Sequence, residues 1–76
     1  MRFVFSFYID GVAPELQNAR VRTYGGHVGT AFNRAWKHLK GQKKYKEVAG
    51  LLPTSVGITK LPNDPKKGWS YETVLL

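Results

Sequence analysis

Hydrophobic and polar positions alternate from the start of the chain, with Phe3, Phe5, Phe7 and Ile9 on one side and Arg2, Val4, Ser6 and Tyr8 on the other. Period-two alternation with aromatic enrichment predicts a half-buried strand whose phenylalanine side faces the core. The stretch DGVAPELQN then brings Asp10, Gly11, Pro14 and Asn18, turn formers that reverse the chain. Alternation resumes in ARVRTY, where Ala19, Val21 and Thr23 oppose Arg20, Arg22 and Tyr24. Paired as a hairpin, the two strands collect Tyr8, Arg20, Arg22 and Tyr24 on their outer face.

From Val28 the period changes. Val28, Ala31, Phe32, Ala35, Trp36 and Leu39 fall on one stripe at helical spacing, and Asn33, Arg34, Lys37, His38 and Lys40 occupy the other side. This predicts an amphipathic helix that stops at Gly41, where glycine accepts a left-handed backbone and Lys37, His38 and Lys40 in the last turn suit the helix dipole. Thr30 or a neighbour is expected to cap its start. In QKKYKEVAGLL, Tyr45, Val48, Ala49 and Leu52 suggest a short second helical turn, bounded by Gly50 and Pro53. SVGITKL and GWSYETVLL read as two further strands joined by PNDPKKG, a long hairpin loop. The order β-β-α-β-β predicts an α+β fold with one helix on one face of an antiparallel sheet.

Length and charge narrow the classes of function. A chain of 76 residues is expected to be one small basic domain over residues 1–76. At this size only roughly 60% of the unfolded surface is buried, which favours a binding surface over an enclosed catalytic cavity. With no cysteine, disulfides and cysteine-based zinc sites are excluded and a reducing, cytoplasmic setting is expected. MRFVFSFYID has the charged start and apolar run of a signal peptide, but the run is short and ends at Asp10 without a small-residue cleavage site, so it reads as a strand. No stretch has the roughly 20 apolar residues that span a bilayer.

Twelve Lys and Arg against five Asp and Glu give a formal charge of +7, an excess that attracts polyanions, nucleic acid foremost. Two candidate surfaces follow. Arg34, Lys37, Lys40, Lys43, Lys44 and Lys46 succeed one another with no acid between them, a spacing suited to a ladder of phosphates. Tyr8 and Tyr24 beside Arg20 and Arg22 offer rings for base stacking and guanidinium groups for phosphate, as in binders of single strands. RNA or single-stranded DNA is therefore expected ahead of duplex DNA. The plain structural alternatives are a solvated helix face for the first surface and cross-strand packing for the second.

Other chemistry finds less support. Gly25, Gly26 and Gly29 between strand and helix would let backbone N–H groups approach a phosphate, but their spacing fits neither the dinucleotide fingerprint nor the P-loop. A chain reversal is the simpler use of these glycines, and no cofactor is expected. Trp36 lies in the apolar stripe and reads as core, whereas Trp69 opens the last strand beside Lys66 and Lys67. His27 and His38, and the acids Asp10, Glu15, Glu47, Asp64 and Glu72, form no catalytic or metal-ligand pattern along the chain, so a non-catalytic protein is expected. The competing reading is a small interaction module that docks on an acidic protein surface. It is told apart by whether Arg20, Arg22, Lys37 and Lys44 form a continuous track or separate patches around an exposed apolar centre. Association with anionic membrane is weaker, because no helix has an apolar face free of core duties. Either terminal strand is open to pairing across a two-fold axis as a homodimer.

Overall fold

The computed structural model describes residues 1–48 and 50–76. Four strands, β1 (Arg2–Tyr8), β2 (Asn18–Tyr24), β3 (Ser55–Leu61) and β4 (Ser70–Leu75), and one helix, α1 (Val28–Lys40), follow the expected β-β-α-β-β order. The strands form one antiparallel sheet in the order β2-β1-β3-β4, and the fold is α+β. β1 therefore lies inside the sheet with both edges paired, Arg2 opposite Tyr24 on one side and Leu61 on the other. This removes β1 from the strands available for pairing with a second chain. β4 alone of the two terminal strands has a free edge.

The alternation in β1 is what orients the sheet. Phe3, Phe5, Phe7 and Ile9 are all buried, together with Ala19 and Val21 of β2 and Val56 and Ile58 of β3. The phenylalanine rings stack along the strand at 5.9 and 6.0 Å between centroids. Phe32 of α1 meets Phe5 and Phe7 edge-on at 5.8 and 5.4 Å, and Trp36 lies tilted 5.2 Å from Phe7. Such geometries add about 0.5–1.5 kcal/mol per pair beyond the area they bury. Trp36 is core, as its place in the stripe predicts.

The helix departs from expectation at both ends. Val28, Gly29 and Thr30 are exposed and burial begins at Ala31, so the first turn overhangs the core and Val28 is not part of the buried stripe. His27 occupies the N-cap position without a side-chain hydrogen bond, and Thr30 lies inside the helix. At the other end Gly41 keeps a right-handed backbone, φ −77°, its N–H donating to the carbonyls of Lys37 and His38. The left-handed glycines are Gly11 and Gly68, in the β1–β2 and β3–β4 connections.

After α1 the chain forms a 3-10 segment over Lys43–Val48, kinked at Tyr45, with Tyr45 and Val48 buried against the core. Leu52 is exposed and outside any helical turn, because Gly50 and Pro53 allow no continuation. Ala49, expected in the same turn, lies outside the described residues. Thr54 donates from its backbone N–H and its hydroxyl to the Tyr8 carbonyl at 2.8 and 3.2 Å, fixing the entry to β3 at the end of β1. Asp64 caps the loop between β3 and β4 by accepting from the Lys66 N–H at 3.0 Å. No helix is long and apolar enough to cross a membrane among the described residues.

Phe5 and Phe7, each fully buried with three aromatic neighbours, are expected to be among the costliest truncations. Phe5→Ala should lower stability by about 3–5 kcal/mol in urea unfolding. Val28→Ala, on the exposed first turn, should change it by no more than about 0.5 kcal/mol.

Candidate nucleic-acid interface

Because successive strand residues point to opposite faces, the side of the sheet turned away from α1 is decided once the phenylalanines are buried. It carries Arg2, Val4, Ser6 and Tyr8 from β1, and Asn18, Arg20, Arg22 and Tyr24 from β2. From β3 and β4 come Ser55, Gly57, Thr59 and Leu61, and Tyr71, Thr73 and Leu75. Tyr8, Arg20, Arg22 and Tyr24 are all exposed on this face, as the hairpin pattern implied. Two residues absent from the sequence-based site join them: Arg2, beside Tyr24, and Tyr71, 58% exposed.

Tyr71 lies down across the sheet. A Cβ built on Gly57 would come within 2.6 Å of its hydroxyl and 3.2 Å of its ring, and the Thr73 hydroxyl donates to the Tyr71 oxygen at 3.4 Å. Gly57 is buried although it belongs to the open face, because the ring covers it. A glycine in a strand interior often marks a close approach of this kind, and that glycine was the one sequence signal for Tyr71. The hydroxyl end of its ring therefore rests against Gly57 while more than half of the side chain stays exposed.

Tyr8, Arg20, Arg22 and Tyr71 line one shallow depression of about 320 Å³. A second, of about 270 Å³, holds Arg2 and Tyr24 and shares Arg22 and Val4 with the first. The cations continue around the edge of the sheet. Arg22 lines a third depression with Arg34 and His38 of α1, and Arg34 and His38 line a fourth with Lys37. Arg34 also donates a long hydrogen bond, 3.5 Å, to the Tyr24 carbonyl. Arg20, Arg22, Arg34 and Lys37 thus form a continuous track from the open face over β2 to the helix.

Lys40, Lys43, Lys44 and Lys46 are exposed at the end of α1 and on the following 3-10 segment, and none of them lines these depressions. The Lys44 ammonium lies 5.5 Å from the centroid of the Tyr45 ring. The basic run of the sequence is therefore divided, with Arg34 and Lys37 facing the track and Lys44 placed over its own neighbour. Among the described residues the one ion pair joins Lys60 to Glu72 at 3.7 Å, so no arginine of the open face is ion-paired, although Arg2 lines a depression with Asp64.

The glycine-rich turn is a chain reversal. Gly25 packs where a Cβ would lie 3.3 Å from that of Ala31, and its N–H donates to the Met1 carbonyl. Residues 25–29 contain no left-handed φ, so they lack the αR-αL alternation of an anion nest.

The sequence was compared with known protein families and curated proteins, and the fold with solved structures; no match was found.

Gly57→Ala separates the seat of Tyr71 from the strand itself. The far end of an exposed side chain gives way readily, and replacing glycine restricts the unfolded chain, so stability should stay within about 1 kcal/mol of the parent. NMR should nevertheless show the Tyr71 ring displaced from residue 57. An undisturbed ring would contradict the close approach.

Proposed function

We propose that this protein is a non-catalytic binder of single-stranded nucleic acid, RNA or single-stranded DNA, which engages the open face of the sheet. Bases stack on Tyr8, Tyr24 and Tyr71, and phosphates meet Arg2, Arg20 and Arg22, with the strand's path continuing over Arg34 and Lys37. The observation that carries this reading is the sharing of one exposed sheet face by three tyrosines and three arginines, none of them ion-paired among the described residues. Stacking tolerates every base because each has a π-face, so shape and charge dominate over sequence. Duplex would engage the cationic track alone and use the rings less.

Of the four cations that distinguish this reading from docking on an acidic protein surface, Arg20, Arg22 and Lys37 are joined through Arg34 and Lys44 is not, and the joined part supports this reading. Of the exposed apolar side chains, Leu75 and Leu76 lie at the end of β4 away from Lys66 and Lys67, whereas Trp69 lines a depression with Arg2.

Fluorescence anisotropy with single-stranded RNA, single-stranded DNA, both duplexes and heparin, at two salt concentrations, tests the proposal. Single strands should bind more tightly than duplexes. With about four to six phosphate contacts, log affinity against log salt should fall with a slope of about −3 to −4, at about −0.7 per contact for a single strand. Equal retention of every ligand, heparin included, would identify a generic polycation. Weak nucleic-acid binding beside a tight, salt-insensitive protein complex would instead identify an interaction module.

Variants divide the contributions. Tyr71→Ala should weaken single-strand binding by about 1–3 kcal/mol and duplex binding by less. Arg22→Ala should make the salt slope shallower by about one contact. Lys44→Ala, off the track, should alter it less than Arg22→Ala does.

A further inference from the structure

The two edges of the sheet are unlike. In β2 the outward backbone groups belong to Asn18, Arg20, Arg22 and Tyr24, since the Gly25 N–H bonds Met1 and the Ile9 N–H bonds Gln17 across the ladder to β1. Two of those residues are arginines, and the Tyr24 carbonyl accepts from Arg34. Charge on an edge is a standard guard against pairing with another strand. β4 has no such guard. Its sequence SYETVL contains one charge, Glu72, which is already paired with Lys60 at 3.7 Å. It has no proline and no lysine, and Trp69, Tyr71, Leu75 and Leu76 at this edge are 58–84% exposed.

The register of the free edge follows from one bond. The Leu76 N–H donates to the Thr54 carbonyl at 3.0 Å, so Leu76, Val74, Glu72 and Ser70 direct their backbone groups toward β3, and Tyr71, Thr73 and Leu75 direct theirs outward. We propose that β4 pairs antiparallel with β4 of a second copy of this chain, about a two-fold axis at Thr73. In that register Tyr71 of each copy exchanges hydrogen bonds with Leu75 of the other, Thr73 faces Thr73, and Glu72 lies opposite Val74. The neighbouring register centred on Glu72 sets two carboxylates directly opposite each other, which is destabilising.

A second copy fits this edge because, apart from Lys66 and Lys67 in the connection before β4, the charge excess is elsewhere. Arg20 and Arg22 lie three strand spacings from β4 in the order β2-β1-β3-β4, about 14 Å at 4.7–4.9 Å per spacing. That exceeds the screening length of about 8 Å at physiological ionic strength, so two cationic chains meet at this edge with their main charges screened. Pairing there joins the two open faces into one sheet with both copies of Tyr71 beside the axis. It stands on the backbone register and does not depend on nucleic-acid binding.

Sedimentation equilibrium of the full chain from about 1 µM to about 1 mM should show a monomer–dimer equilibrium. The dimer should persist in 1 M salt, where the screening length falls to about 3 Å and nucleic-acid binding weakens. Thr73→Lys, which places like charges on the axis, and Thr73→Pro, which removes an outward N–H without touching the β3 ladder, should each give a monomer with unchanged circular dichroism. Because the chain has no cysteine, Thr73→Cys should form a disulfide-linked dimer on oxidation, the facing Cα atoms of a bonded pair being about 5.5 Å apart. Glu72→Cys should cross-link at least about tenfold more slowly. A monomer over the whole concentration range, dimers unaffected by Thr73→Lys, or equal cross-linking at both positions would overturn the proposal.

Discussion

The phenylalanine ladder of β1, whose Phe5 and Phe7 pack against Phe32 and Trp36 of α1, is the interaction on which the rest of this structure depends. β1 is an interior strand, so its backbone groups are satisfied by β2 on one side and β3 on the other. Its side chains then have one large decision to make, which face holds the rings, and alternation settles it for all neighbouring strands at once. A one-residue slip in register would expose the phenylalanines and bury Arg2, Ser6 and Tyr8. The buried ladder thereby also determines what the other face displays.

That other face is open because the chain has a single helix to spend on covering the sheet, and α1 lies over β1 and β2. A sheet with one covered face normally shows polar residues on the other, and Ser6, Asn18, Thr59 and Thr73 obey that rule. The tyrosines and arginines go beyond it. A surface needing only solubility has no use for a ring laid over a glycine, and unpaired guanidinium groups in a chain of net charge +7 add to its self-repulsion. These features are easier to understand on a surface that meets an anionic, flat-ringed ligand.

Local patterns were legible in the sequence to the extent that each side of an element had one character. Phe3, Phe5 and Phe7 against Arg2, Ser6 and Tyr8 read correctly, as did the stripe from Ala31 to Leu39. Strand order was not legible, since pairing Arg2 with Leu61 joins residues far apart in the chain and leaves no local trace. β4 was ambiguous for another reason: Trp69, Tyr71 and Leu75 on one side and Val74 and Leu76 on the other are both apolar. Only the partly buried Val74, opposite Val56, shows which side faces the core. Tyr71 was hidden by that ambiguity. The basic run from Arg34 to Lys46 is continuous in sequence but spans two elements, because α1 ends at Lys40 and Lys43, Lys44 and Lys46 follow on the 3-10 segment.

On the proposed reading, the arginines of β2 would serve structure and recognition by the same property. Their charge keeps an exposed edge from pairing with other strands, and the same charge, carried on alternate residues of that edge, reaches the open face where a phosphate backbone would run. Loss of the two functions by mutation would therefore look different in a solubility measurement, because an unguarded edge aggregates and an unliganded face does not. Tyr71 lacks this double duty. It is exposed, it makes no contact with the phenylalanine ladder, and its seat on Gly57 contributes little to holding the sheet together. Of the residues on the open face it is the one whose geometry is hardest to account for by stability alone, and so the one that argues most directly for a ligand.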